Sequence, residues 1–482
     1  MTRLPVCRLV LVLSCTLNPL LADDVTVPPL TESEQSAMNG IEESEVLSTV
    51  AFLASDAMAG RNTPSVELNI AAAYVAARFQ GAGLEGLGPD GSFLQTTELG
   101  QFVVPEQKAV LRNSAGDIRT AGVMFSAPAD TSVTAVIAAD ESPAAVDGKI
   151  VVVDELPLPP QAADNPAMIL ATWSRRLTPL ANAKAVAVLV RINDDSLLPE
   201  MLNNHAGRAL SLPSRFQLPV PVVLVAKDAT LDGELTLTMA AAKTASESVS
   251  NVVGVLRGSD PELSKQAIVI TAHLDHIGRI AGDRGSDPIN NGADDNATGV
   301  TGVLMLADAF AQRDPRPKRS VIFMTFWGEE KGLLGSQHFA EHPLWPLDCI
   351  VANINLEMIG CPEAGAEGKV WCTGWNKSTL GEQLAAGAKR ADVEIFNHPQ
   401  LSEMLYSRSD NFSLVRKGVI AHSFSGGSLH ADYHQPTDEV SLLNIPHMTK
   451  VIRGLYAGSM PIADGLLTPV KNQSEADSPQ KR

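Results

Sequence analysis

An α/β fold is predicted for this chain of 482 residues: a mostly parallel central sheet covered by helices on both faces, interrupted by a β-rich insert. Three observations carry this reading. Strand and helix patterns alternate from about residue 248 onward, which argues a parallel sheet with helical crossovers. Apolar residues recur at helical spacing between 43 and 80. From about 101 to 247 the texture is instead one of short β-rich runs separated by turns.

The elements follow in order. Val46, Leu47, Val50 and Leu53 share one helix face, and Leu68, Ala71, Tyr74, Val75 and Phe79 another, so two helices joined by a Gly/Asn/Pro loop are expected. Gly81-Ala82-Gly83-Leu84-Glu85-Gly86 matches a dinucleotide fingerprint but ends a helix instead of opening one. Its glycines are read as a cap and turn. In the insert, strands are expected at Lys149–Val153, Ala185–Arg191, Val222–Ala226 and Leu235–Met239, with one helix around Ala167–Leu180. No cluster of His, Cys and carboxylates there makes a site. Beyond it come strands at Ala267–Ala272, Ser320–Trp327 and Cys349–Met358, with helices at Gly299–Ala311 and Gly332–Ala340.

The boundaries drawn are 1–22 for a signal peptide, 23–100 for an N-terminal helical part, 101–247 for the insert, 248–465 for the α/β domain and 466–482 for a polar, frayed tail. Arg3 and Arg8 precede the apolar run Leu9–Leu13, and Leu20-Leu21-Ala22 precedes two aspartates. This is the layout of a cleaved secretory signal, so an exported protein, periplasmic or secreted, is expected. A rival reading takes Val12–Cys15 as a lipoprotein cleavage site and anchors the chain through Cys15. No stretch reaches the roughly 18–20 apolar residues of a membrane helix. Cleavage after Ala22 leaves Cys349, Cys361 and Cys372, enough for one disulfide, with Cys361–Cys372 favoured by loop length. No CxxC pair occurs, which removes a structural zinc ribbon.

Composition narrows the function. With 45% hydrophobic and 19% charged residues, the chain can bury a large core. A net charge of −18, deepened to −20 by loss of Arg3 and Arg8, argues against nucleic acid as a partner.

Chemistry-bearing residues collect where the strands end, which is where parallel sheets bind ligands. The first strand runs into His273-Leu274-Asp275-His276; alternation puts His273 and Asp275 on one face, so the carboxylate can hold the second ring nitrogen of a ligating imidazole. Asp294 and Asp295 stand at a helix entrance. Glu329 and Glu330 end the second strand, two adjacent acids that repel unless a cation compensates. Glu357 ends the third strand. His430 and His434 lie in a late turn-rich segment, where Pro436 disfavours a helix and His434 is preferred; Asp294 and Asp295 remain alternatives at this point. Imidazoles and carboxylates without thiolate suit catalytic zinc. The surplus of acids suits two ions about 3.5–4 Å apart sharing a carboxylate. No HExxH, GxSxG or GxxxxGKS motif occurs, so other hydrolase and nucleotide-binding plans lack support.

These stretches, with Gly292-Ala293-Asp294-Asp295-Asn296-Ala297-Thr298-Gly299, Gly332-Leu333-Leu334-Gly335-Ser336 and Asp432-Tyr433-His434, resemble metallopeptidase family 28, the co-catalytic zinc aminopeptidases and their glutamate carboxypeptidase and glutaminyl cyclase relatives. The match runs from about 250 to 460. Phe52–Asp56 and Gly60-Arg61 resemble the family's N-terminal part, and Gly148–Asp154 a protease-associated domain. The resemblance implies a zinc exopeptidase fold and two Zn2+ per chain. Asp295 would bridge them, with Glu330 and His434 on one ion and His273 and Glu357 on the other. It further implies Glu329 as general base, Asp275 as the group orienting His273, and Tyr406 as a hydrogen-bond donor to the tetrahedral intermediate. Many members carry Asp where this chain has Glu357, so the second ion's site is expected to differ in geometry. The activity implied is that of a metallo-aminopeptidase acting on peptides. The alternatives are a carboxypeptidase, a glutaminyl cyclase, or a metal-free binding protein on the same fold.

Overall fold

The computed structural model describes residues 27–103, 109–125, 130–156, 166–196, 198–199, 209–211, 218–240, 244–279, 287–427 and 429–472. The signal expected at 1–22 and the last ten residues of the expected tail lie outside them. Four parallel strands form the centre of a ten-stranded sheet. They are Ser320–Phe326, Ala267–His273, Ile350–Leu356 and Ala421–Ser425, in that spatial order. Every residue of the first two is buried, because both sheet faces are covered and near-continuous apolar runs are tolerated only there.

One face packs against the helices Glu43–Leu53, Val66–Gly81, Gly299–Gln312 and Ile445–Ala463, whose Val50, Val75, Val303 and Ile452 join the main core. The other face meets Leu334–Glu341 and Asn411–Val415 through Phe339 and Leu414. The predicted α/β class with helices on both faces therefore holds, and the sheet's outer strands add antiparallel pairs. Lys369–Cys372 pairs antiparallel with Ala421–Ser425, and Thr244–Leu256 with Ser320–Phe326.

Thr244–Leu256 also pairs antiparallel with Leu94–Val103, from Thr244 against Phe102 to Val252 against Leu94. This long ladder carries the chain out of the large sheet and back, and it runs across both the 100/101 and 247/248 boundaries. Between its strands lie two four-stranded sheets with their own apolar clusters, one around Phe125, Trp173 and Val188 and the other around Leu111, Leu189 and Leu235. Among the described residues no helix is long and apolar enough to cross a membrane. Residues 466–472 are less frayed than expected: the Thr379 amide donates to Val470 O and the Asn472 amide to Lys377 O, each at 3.0 Å.

Register brings the strand ends level, since His273 pairs with Phe326 and Thr271 with Asn355. Beneath them sits Arg61, fully buried. Its Nε donates to Leu274 O (2.9 Å), Nη1 to Asn291 O (3.0 Å) and to Leu53 O, and Nη2 to Gly292 O (3.1 Å). One guanidinium thus ties the helix Glu43–Leu53 to the two loops that deliver His273 and Asp295. Burial pulls its pKa down to about 10, opposed by the charges of Asp275, Asp295, Asp438 and Glu330, so it stays cationic at neutral pH. Removing it strands buried carbonyls, each costing about 1–3 kcal/mol. Arg61→Met should lower unfolding stability in urea by at least about 3 kcal/mol, with stability unchanged within about 0.5 kcal/mol contradicting the assignment.

Candidate metal centre

The site is built from five chain segments at the carboxyl ends of the parallel strands. Gly292 turns the chain into the Asp295 loop at φ +58°; a Cβ there would lie 2.2 Å from Asp295 O and 2.4 Å from the His276 ring, so only glycine lets these groups meet. The amides of Asp294 and Asp295 donate to the two carboxylate oxygens of Asp438 at 2.9 and 3.1 Å, which fixes the loop that aims Asp295.

The two oxygens of Asp295 face different partners. Oδ1 lies 3.2 Å from His273 Nε2, which is itself 3.1 Å from Glu357 Oε1. Oδ2 lies 3.1 Å from His434 Nε2 and 3.6 Å from His276 Nδ1. Glu330 completes this second group, with Oε1 2.9 Å from His276 Nδ1 and Oε2 3.3 Å from His434 Nε2. Two atoms each about 2.0–2.1 Å from a tetrahedral zinc sit about 3.3 Å apart, so both groups have the spacing of ligands sharing an ion. His434 Nε2 comes this close to two carboxylate oxygens without hydrogen-bond geometry to either. That is the arrangement of donors aimed at a common point between them. His273, Asp295, Glu330, Glu357 and His434, all singled out in the sequence, are therefore brought together, and Asp295 faces both groups.

Several expectations change. His276, adjacent to Asp275 and given no role in the sequence, is fully buried and joins the Asp295–Glu330–His434 group. The only sequence signal was its position at the strand mouth. Asp275 does hold His273, but through its main-chain oxygen, 3.0 Å from Nδ1, while its carboxylate is 3.9 Å away. That carboxylate is occupied instead by the Glu329 amide (3.1 Å) and the Thr63 hydroxyl (2.9 Å). Tyr406, expected at the reacting centre, packs its ring against Gly374, Phe412 and His422; its neighbours Leu405 and Ser407 line the cleft and it does not. Tyr433 does line it, stacked on the His434 ring at 3.9 Å between centroids. The Cys361–Cys372 disulfide does not form: both are free thiols, Cys372 buried at the end of its strand and Cys361 beside Asp294.

The Glu357 side chain reaches the first group in full. Its second oxygen accepts a hydrogen bond of 2.6 Å from Ser409, which in turn accepts one of 3.0 Å from Asn355, so the longer arm is held at both oxygens. His434 has φ +58° and Met358 φ +50°, left-handed backbone that costs about 1–3 kcal/mol and concentrates at functional sites.

The electrostatics match a cation site. Burial pushes the Glu329 carboxyl well above the usual range, His273 opposes this, and Glu330, Asp410 and Glu357 add to it. Burial and Asp295 would also raise Glu330, but the hydrogen bond from His276 and the facing His434 imidazole win and bring it to about 2. Burial raises Asp438 to about 6. Glu329 belongs to neither donor group yet lines the cleft above them. The cleft measures about 450 Å³ and has apolar walls that include Met358, Trp371, Leu405 and Leu429.

Residues 251–457 match the model of Peptidase family M28. Aminopeptidase YwaD of Bacillus subtilis (strain 168) is 26% identical over 276 residues, 54% of this chain and 53% of that protein. A probable zinc metalloprotease of Pyrenophora teres f. teres (strain 0-1) is 36% identical over 122 residues, 24% of each chain. The chain thus spans about half or less of the curated relatives it matches. The solved aminopeptidase from Aneurinibacillus sp. strain AM-1 superposes with a TM-score of 0.53 at 18% identity, covering 89% of this chain and 95% of that one, a likeness of fold. The stretch that matches the peptidase family M28 model, residues 251–457, carries every donor of both groups.

Proposed function

We propose that the chain is a zinc-dependent exopeptidase, acting as an aminopeptidase that removes N-terminal residues from peptides. The observation that carries this reading is the division of Asp295 between two donor groups, with the carboxylate of Glu329 left unclaimed in the cleft beside them. In this reading one zinc would be held by His273, Asp295 and Glu357, and a second by Asp295, Glu330, His434 and His276. When bound, these ions would polarise the scissile carbonyl and lower the pKa of the attacking water.

The chain's own groups do the rest. Glu329 takes the proton of the attacking water and delivers it to the leaving amine. Asp275 keeps that base in place by accepting the Glu329 amide hydrogen. The Tyr433 hydroxyl, raised by burial and by the carboxylates of Asp295, Glu330 and Glu329, stays protonated and donates to the developing oxyanion. The acids of the cleft neutralise the substrate's free amine, and Met358, Trp371, Leu405 and Leu429 take an apolar side chain.

The same reading treats 23–100 and 248–465 as one peptidase domain and 101–247 as a protease-associated insert. The ladder that leaves and re-enters the large sheet supports this. The basic-then-apolar order of residues 3–22 supports an exported enzyme. A second reading, a carboxypeptidase, is favoured by one observation: Arg408 lines the cleft and could pair with a substrate carboxylate.

Glu329→Gln should retain its zinc while kcat falls about 10²–10⁴-fold, measured by elemental analysis alongside steady-state kinetics; near-normal turnover would remove Glu329 as the base. Tyr433→Phe should lower kcat about 10²-fold with little change in KM, whereas Tyr406→Phe should be close to wild type. The reverse ranking would restore Tyr406 to the reaction. A panel of aminoacyl, carboxy-terminal and N-terminal glutamine substrates separates the activities. The expected result is hydrolysis of aminoacyl substrates with apolar first residues; turnover of N-blocked peptides from the carboxyl end, abolished by Arg408→Ala, would establish the second reading instead.

A further inference from the structure

Beside the double donor group lies a second cluster of different chemistry, which the proposed reaction does not use. We propose that Asp294, Cys361 and His430 form a separate zinc site, a brace that ties the segment carrying Tyr433 and His434 to the turn following Glu357.

The three donors come from three parts of the chain: the helix entrance, the turn after the third parallel strand, and the late loop. Their ligand atoms all lie within 4.8 Å of one another. Asp294 Oδ2 is 3.2 Å from His430 Nε2, the separation of two atoms on one tetrahedral zinc. The Asp294 carboxylate is fully buried, and its other oxygen is already committed, accepting from the Gly360 amide at 2.7 Å and the Thr298 hydroxyl at 3.3 Å. This fixes the carboxylate with Oδ2 turned toward His430. The second ring nitrogen of His430 lies 3.7 Å from Asp432 Oδ2, near enough to attract a cationic centre but too far for a direct hydrogen bond. Cys361 is half-buried, and its Sγ makes only a weak thiol hydrogen bond of 3.8 Å to Leu442 O, which a metal would displace. Zinc binding would form the metal–sulfur bond and release the thiol proton to solvent. One thiolate, one imidazole and one carboxylate make a zinc set with an open fourth position, whereas the Asp295-centred groups contain no sulfur.

That difference in ligand chemistry makes the site separately observable, whatever the outcome for the exopeptidase reading. The full chain, stripped of metal and saturated with Co2+, should show a thiolate-to-cobalt charge-transfer band in the near ultraviolet. The band should persist in Cys372→Ser, disappear in Cys361→Ser with the visible bands of the sulfur-free centre retained, and need at least about tenfold more cobalt in His430→Gln, as expected for loss of one supporting ligand. Absence of the band in the wild type, or its persistence in Cys361→Ser, would overturn the proposal. Should Cys361→Ser fail to fold, the wild-type protein answers the same question: Zn2+ should slow iodoacetamide alkylation of Cys361, read by peptide mass spectrometry, at least tenfold relative to Cys349. Equal protection of the two cysteines would overturn it.

Discussion

Five acidic side chains, Asp275, Asp295, Glu329, Glu330 and Glu357, crowd the mouth of a buried parallel sheet, and their mutual repulsion is the constraint around which the structure is arranged. Such charges cannot remain together in a low-dielectric site without compensation. The protein supplies part of it: the Arg61 guanidinium beneath the loops, imidazoles facing the carboxylates, and amide and hydroxyl donors to Asp275, Asp438 and Glu357. What remains is a pair of donor groups spaced for cations and sharing one carboxylate. Divalent ions there would be the largest local charges and would invert the local pKa logic. Glu329, now pushed up, would be drawn down toward the range of a working base.

The fold serves this arrangement in a simple way. Parallel pairing keeps the ends of the Ala267–His273, Ser320–Phe326 and Ile350–Leu356 strands level, so residues that follow them meet without long loops. The flanking loops are then fixed by interactions invisible to periodicity: the Asp438 carboxylate on two successive amides, Gly292 with no side chain, and left-handed backbone at His434 and Met358. The strain is tolerated because buried neighbours over-determine it.

Much of this was legible in the sequence, for identifiable reasons. Long apolar runs bounded by acids located the strands and their mouths, since burial on both faces demands such runs and only a ligand explains tandem carboxylates at their ends. His273, the Glu329–Glu330 pair and Glu357 stood out that way, whereas the choice of Asp295 over Asp294 and of Glu330 as the ligand came from the resemblance to metallopeptidase family 28, and His434 from the turn-rich setting beside Pro436. Other features were not legible because they depend on side-chain direction or on distant partners. His276 follows Asp275 in sequence, but only the turn at the strand end shows that its ring swings back onto Glu330. Strand alternation suggested a carboxylate behind His273, whereas Asp275 uses its carbonyl there because Thr63, more than 200 residues earlier in the chain, and the Glu329 amide claim the carboxylate. The resemblance pointed to Tyr406, but its ring packs against Phe412 and His422, while Tyr433, given no role in the sequence, stacks on His434 and lines the cleft. The loop length between Cys361 and Cys372 permitted a bridge that the fold does not make.

The central claim is that Asp295 divides its two oxygens between two metal ions. Crystallography of the zinc-loaded protein with anomalous scattering at the zinc edge tests it most directly. The account predicts two peaks flanking the Asp295 carboxylate, one among His273 and Glu357 and the other among His276, Glu330 and His434. A single peak, or peaks displaced from Asp295 with these side chains bonded only to one another, would contradict it.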